Sequence, residues 1–233
     1  MKEKAYEGFS DLVFTGPKWV LERAKSSYLL KNETLVEVDE FIDTENTFVP
    51  KDVSALKKEL NVEGKIIILN VAPSKDERKG VKYYVEMAKR TKNEEFVFVH
   101  VGYQDDVSNL PDNFIPIPFV KDQNLLASYY AMADLFVCTS LADTMPNVCL
   151  DALACGTPIV GFDITGVPYV AEAPLGVYVE TRNVDALQKA VLKTQPKNAE
   201  TVNRCRDYAV SRYSPEVFCD KLERVYLQLI GER

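Results

Sequence analysis

Two aspartates stand eight positions apart in the segment Asp143-Thr-Met-Pro-Asn-Val-Cys-Leu-Asp151. The spacing puts Asp143 just ahead of a helix start and Asp151 inside that helix. Pro146 suits the first helical position, where a missing N–H costs nothing. The N–H groups that follow, at Asn147 and Val148, then project from a helix N-terminus, whose dipole and unsatisfied donors favour an anion. The chain continues Ala152-Leu-Ala-Cys-Gly-Thr-Pro-Ile-Val160, a turn back into an apolar strand. Carboxylates that hold hydroxyls, beside free N–H groups that hold an anion, suit a sugar nucleotide, which offers both. Taken singly, Asp143 serves equally well as a helix cap, and Asp151 as part of a solvated face. The apolar Val148, Leu150 and Leu153 around Asp151 argue instead for a buried helix.

A second loop, Pro73-Ser-Lys-Asp-Glu-Arg-Lys-Gly80, joins an apolar strand to a helix. Lys79 can aim an ammonium at a diphosphate from this junction, and Arg78 can fork onto the same oxygens. On its own, the charge run 75–79 reads as a solvated surface loop. A third turn, Ile164-Thr-Gly-Val-Pro168, contains Gly166, which would let the backbone approach a ligand closely. His100 lies within an apolar strand and reads as a core residue. No GxGxxG, Walker A, HExxH or CxxC pattern is present, so dinucleotide, P-loop and metal readings have no motif to rest on.

The elements that must position these loops alternate. Apolar strands are expected at 12–15, 35–38, 66–71, 96–101, 113–118, 135–138, 158–161 and 176–179. Helices are expected at 17–30, 53–60, 80–91, 123–133, 146–154, from about 184, and at 215–230. Residues 39–51 show no period and read as a linker. Near-continuous apolar strands separated by helices imply a parallel sheet covered on both faces, an α/β Rossmann-like doubly wound layer. Ligands bind such layers at the carboxyl ends of the strands, where all three loops fall.

The bulk properties agree. The chain has 233 residues, 46% of them hydrophobic, and a net charge of -7, which argues against non-specific nucleic-acid binding. No apolar run approaches the roughly 20 residues of a bilayer span, and the N-terminus lacks a signal-peptide core, so a cytoplasmic protein without a transmembrane segment is expected. The five cysteines are odd in number and make no CxxC pair, which favours reduced structural thiols.

Together these segments resemble the C-terminal, donor-binding half of retaining GT-B glycosyltransferases, the family of group 1 glycosyl transferases (family 4). The resemblance runs from about Leu12 to Ile230. It rests on Thr15-Gly-Pro-Lys-Trp19, on Ile42-Asp43-Thr44 through Pro50, and on Arg78-Lys79-Gly80. It rests also on residues 126–137, on the paired acids with the following Gly-Thr-Pro turn, and on Tyr213-Ser-Pro-Glu216. The resemblance implies a nucleoside-diphosphate sugar as donor, with no bound metal and no cofactor. Lys79 and Arg78 would hold the diphosphate and Asp143 the transferred sugar. Asp151 would take the ribose hydroxyls. The remaining donor contacts would come from Ser74, Met145, Asn147, Val148 and Gly166.

It also implies three parts: a remnant of the acceptor domain with its linker over 1–50, a donor-binding domain over 51–213, and a closing crossover helix over 214–233. The acceptor domain would be supplied in cis or as a second chain, and this chain alone would be inactive or nearly so. The closing helix should pack on helix 17–30 or on a second chain. The sequence departs from the family's pattern in three places. Both acids are Asp where Glu is commoner, Asn70-Val-Ala-Pro-Ser74 replaces a Gly-Arg pair, and Thr165 stands in a common double glycine. Two other readings are a non-catalytic donor subunit of a two-chain transferase and a sugar-nucleotide epimerase on the same architecture.

Overall fold

Six short runs of apolar residues form one sheet, the four central ones buried on both faces and the two edge strands only partly. In the computed structural model, which describes residues 12–14 and 16–231, these are β3 (Ile66–Val71), β4 (Phe96–Val101), β5 (Phe114–Ile117), β6 (Leu135–Cys138), β7 (Ile159–Phe162) and β8 (Gly176–Val179). All pair in parallel, in the order β5-β4-β3-β6-β7-β8. Side chains alternate across the sheet. Ile67, Leu69 and Phe136 therefore join one core with Tyr130, Leu150 and Leu153, while Ile68, Phe98 and Val160 join another with Tyr84 and Met87. The doubly wound parallel layer expected from the sequence is present.

The helices start where a side chain or a turn can satisfy their first donors. Helix α3 (Val81–Arg90) follows Gly80, which sits at a φ of 62°. Asp122 accepts from the N–H groups of Asn124 and Leu125 to open α4 (Gln123–Met132). Helix α5 (Asn147–Ala154) follows Pro146, and Asn183 caps α6 (Val184–Val191). Asn198 caps α7 (Ala199–Tyr213), a helix absent from the sequence reading. The last helix, α8 (Pro215–Gly231), follows immediately.

Ahead of the sheet lie β1 (Leu12–Phe14), α1 (Lys18–Lys25), β2 (Thr34–Val36) and α2 (Ser54–Glu59). Strands β1 and β2 pair in parallel as a separate two-stranded sheet. The first helix is shorter than expected, and Thr15, the last residue of the expected first strand, lies outside the described residues. The aperiodic segment 39–51 is held in place by distant groups. The Arg206 guanidinium donates to the carbonyls of Thr44 and Phe48, and the N–H of Ile42 donates to the carbonyl of Tyr213. This segment also receives α8. Phe218 packs on Phe41 with ring centroids 4.6 Å apart and the rings tilted by 36°, and Lys221 reaches Asp39 at 3.5 Å. Helix α8 therefore rests on the linker, where helix 17–30 or a second chain was expected to receive it, and Leu227 and Ile230 are exposed beyond it.

His100 is a core residue, as expected. It is fully buried among Tyr84, Tyr103 and Phe114, and neither ring nitrogen makes a hydrogen bond of good geometry. Burial pushes its pKa down to about 4, against weaker opposing pulls from the Ala72 backbone and the Asp105 charge. Below the ordinary histidine value of about 6.5 the unfolded chain takes up a proton that the folded chain refuses until about 4, so stability must fall across that window. The expected loss by pH 4 is about 3 kcal/mol. His100→Leu should flatten this part of the acid limb in denaturant titrations from pH 7 to 4. An unchanged acid limb would show that the buried imidazole does not govern it.

Candidate functional site

The strand order reverses between β3 and β6. Strand β3 leads outward to β4 and β5, and the chain then crosses back to β6, β7 and β8. The carboxyl ends of β3 and β6 therefore frame the crevice in which such layers bind ligands. Asn70 spans this gap. Its Nδ2 donates to the Val137 carbonyl at 2.7 Å, while its Oδ1 is buried without a partner. The sequence reading noted Asn70 only as a departure from a pattern. The signal was a single amide inside the apolar run Ile66-Ile-Ile-Leu-Asn-Val71.

The loops leaving the two strands are stitched together. The N–H of Leu141 donates to the Arg78 carbonyl at 2.6 Å, and the Thr139 hydroxyl donates to the Lys79 carbonyl at 2.9 Å. Gly80 lies so close to the Thr139 carbonyl that a Cβ would collide with it. This stitching brings together two groups 64 positions apart in the chain. Lys79 Nζ donates to Asp143 Oδ2 at 2.7 Å, with both side chains largely shielded, 30% and 13% exposed. Arg78 is not part of the pair. Its guanidinium forks onto Asp76, at 3.1 and 2.8 Å, and is 76% exposed. The basic loop thus offers the crevice one ammonium, and Arg78 contributes its carbonyl to the stitching.

The turn after β7 closes the other side of Asp143. The Asp143 N–H donates to Thr165 Oγ1 at 3.0 Å, and the Gly166 N–H donates to the Asp143 carbonyl at 2.8 Å. A Cβ at Gly166 would collide with the Thr144 carbonyl. The close approach expected of Gly166 is therefore to the Asp143–Thr144 backbone, because that loop already fills the space beside it. Thr165 has a φ of 50°, a left-handed conformation that strains a β-branched residue by about 1–3 kcal/mol.

Beside Lys79 opens a cavity of about 440 Å³, lined by Val71, Val101, Phe119, Val120, Leu126, Phe136 and Val148, with Asn70, Gln104, Thr139 and Ser140 as its polar groups. It suits a flat apolar ring with a few polar edges. Val148 reaches it from the first turn of α5, and the N–H groups of Asn147 and Val148 have no acceptor among the described residues. Asn147 itself is exposed and Met145 is buried. The Ser74 hydroxyl accepts from the Gln104 N–H at 2.9 Å, tying the loop after β3 to the loop after β4.

Asp151 does not line this cavity. It is 8% exposed on α5 and has no charged partner. Burial alone pushes its carboxyl up to about 8. A larger cavity, about 520 Å³, lies between α8, the linker and residues 168–172. It is lined by the acids Glu37, Asp39, Glu40 and Glu172 and by Lys18, Arg212 and Lys221, and it touches neither Lys79 nor Asp143, so size alone does not mark the site. Among the described residues no three His, Cys, Asp or Glu side chains gather as a metal site, and no helix is long and apolar enough to cross a membrane.

Residues 65–195 match the family described as glycosyl transferases group 1. A curated relative, alpha-monoglucosyldiacylglycerol synthase of Acholeplasma laidlawii, is 24% identical over 200 residues, covering 80% of this chain and 50% of its own. The chain spans about half the length of the curated relatives it matches. Two solved structures share its fold. A glycosyltransferase of Rickettsia africae superposes with a TM-score of 0.79 at 16% identity, covering 99% of this chain and 67% of the other. Anabaena HepE, solved in complex with UDP, superposes with a TM-score of 0.76 at 16% identity, covering 95% and 64%.

Proposed function

The chain belongs to the group 1 glycosyl transferases, with the Rossmann-like layer of their GT-B fold, and from that premise we propose that it binds the nucleoside-diphosphate sugar donor of a retaining glycosyl transfer. The observation that carries this reading is the Lys79–Asp143 pair at the topological switch point, between an apolar cavity and the free N–H groups of α5. The cavity would take the base, and Lys79 with the N–H groups of Asn147 and Val148 the diphosphate. Asp143 would hold a hydroxyl of the transferred sugar, and Asp151 the ribose. Cleavage of the sugar–oxygen bond leaves negative charge on the diphosphate. A fixed ammonium and a helix N-terminus already aimed at that charge stabilise it without reorganising. The acceptor would be held by a separate acceptor-binding domain, in cis or as a second chain, so this chain alone is expected to turn over slowly or not at all.

The UDP complex of HepE supports the nucleotide part of the reading. Calorimetric titration with UDP, GDP and ADP tests it. Saturable binding of one nucleotide, weakened in Asp151→Ala, is the expected result. Failure of all three to bind would remove the proposal.

A further inference from the structure

We propose that Thr165 is a positioning residue that sets Asp143 for the transferred sugar; the inference rests on the donor-binding reading above. The observation is a strained residue that serves a second segment. Thr165 is β-branched, yet it is held at a φ of 50°, a region that glycine enters freely and threonine does not. Its hydroxyl is where the strain finds a use. Oγ1 accepts the Asp143 N–H at 3.0 Å, across 22 residues of sequence. The next residue, Gly166, donates its own N–H to the Asp143 carbonyl at 2.8 Å. The two bonds grip the Asp143 peptide from both ends and leave its carboxylate facing Lys79. Glycine at 165 would relieve the backbone and would also release the Asp143 N–H. The hydroxyl thus fixes the loop that carries the sugar-facing acid, and its own hydrogen has no acceptor among the described residues. A side chain that only filled a turn would need neither the hydroxyl nor this conformation.

The position predicts an effect on the sugar and not on the nucleotide. The probes are the nucleoside diphosphate that binds in the titration above and its glucose ester, UDP and UDP-glucose where uridine is selected. Affinities are measured for Thr165→Ala, Thr165→Gly and Thr165→Ser, and the exchange of the Asp143 amide is followed by NMR in the absence of ligand. Loss of one well-placed hydrogen bond should lower the ratio of UDP-glucose to UDP affinity about tenfold in the Ala and Gly variants. Serine should restore it. Glycine separates the two roles, because it removes the strain and still loses the ratio. Amide protection at Asp143 should fall in the Ala and Gly variants and persist in the Ser variant. Wild-type ratios in the Ala and Gly variants, or unchanged amide protection, would overturn the inference. A wild-type chain that binds no nucleotide would instead remove the donor-binding reading, and the exchange arm would still report whether Thr165 holds Asp143.

Discussion

Lys79→Ala should weaken binding of the nucleoside diphosphate by about 100-fold, and Asp143→Asn in the same chain should recover part of that loss. The first effect follows from the number of cations at the crevice. Arg78 is committed to Asp76 and faces solvent, which leaves Lys79 as the ammonium that lines the cavity. A charge-assisted bond to a phosphate oxygen is worth about 1.5–3 kcal/mol, and more where water is excluded. The second effect follows from the pair. Asp143 is 13% exposed, and Lys79 neutralises it at 2.7 Å. Without Lys79 a shielded carboxylate faces the incoming diphosphate, and like-charge repulsion adds to the lost contact. Asp143→Asn removes the repulsion but not the missing cation. The double variant should therefore bind about fivefold more tightly than Lys79→Ala, a non-additive result of the kind that touching residues give. Calorimetry on the four proteins reads both effects. Near-wild-type affinity in Lys79→Ala would place the diphosphate elsewhere, and strict additivity would separate Asp143 from it.

The layer itself was readable because its strands are buried on both faces. Ile66-Ile-Ile-Leu69 and Phe96-Val-Phe-Val99 leave no polar side for an alternative pairing, and the loops between strand and helix then fall at one end. Helix α7 escaped notice because most of its surface is polar, with only Cys205, Ala209 and Tyr213 buried, although their four-residue spacing was available as a signal. The linker was legible as a linker, but the contacts that order it were not. Its order comes from Arg206 and Tyr213, about 160 residues away, and no local pattern records such partners. The site divides in the same way. Lys79 and Asp143 were legible as residues suited to phosphate and hydroxyl, but their contact exists only because β3 and β6 are neighbours in the sheet. Thr165 was harder still. Threonine disfavours the left-handed conformation it adopts, so the local sequence argues against the geometry that tertiary contacts impose.

Asp151→Asn should make the folded chain more stable at pH 8 while it weakens nucleotide binding. The acid sits on an apolar helix at 8% exposure, and no cation lies close enough to oppose the desolvation that pushes its carboxyl up to about 8. In the unfolded chain it titrates near 3.8. The folded state therefore keeps a proton that the unfolded state has released, and stability falls as pH rises from about 4 to about 8. Each pH unit in that window is worth about 1.4 kcal/mol, so the accumulated penalty by pH 8 is on the order of 5 kcal/mol. Asparagine keeps the shape and does not titrate. The stability difference between Asp151→Asn and wild type should vanish at pH 4 and grow with pH up to 8, measured as urea midpoints across that range. A buried acid with no partner in the empty protein is an unstable arrangement that a ligand could repair. If ribose hydroxyls donate to it, they favour the ionised form and lower its pKa, and wild type should then release a proton on binding nucleotide at pH 7. That release shows as a binding enthalpy that changes with the ionisation enthalpy of the buffer, and it should disappear in Asp151→Asn. Buffer-independent enthalpy in wild type would take Asp151 out of the donor site, and equal urea midpoints at pH 8 would show that burial does not raise the carboxyl above its unfolded value.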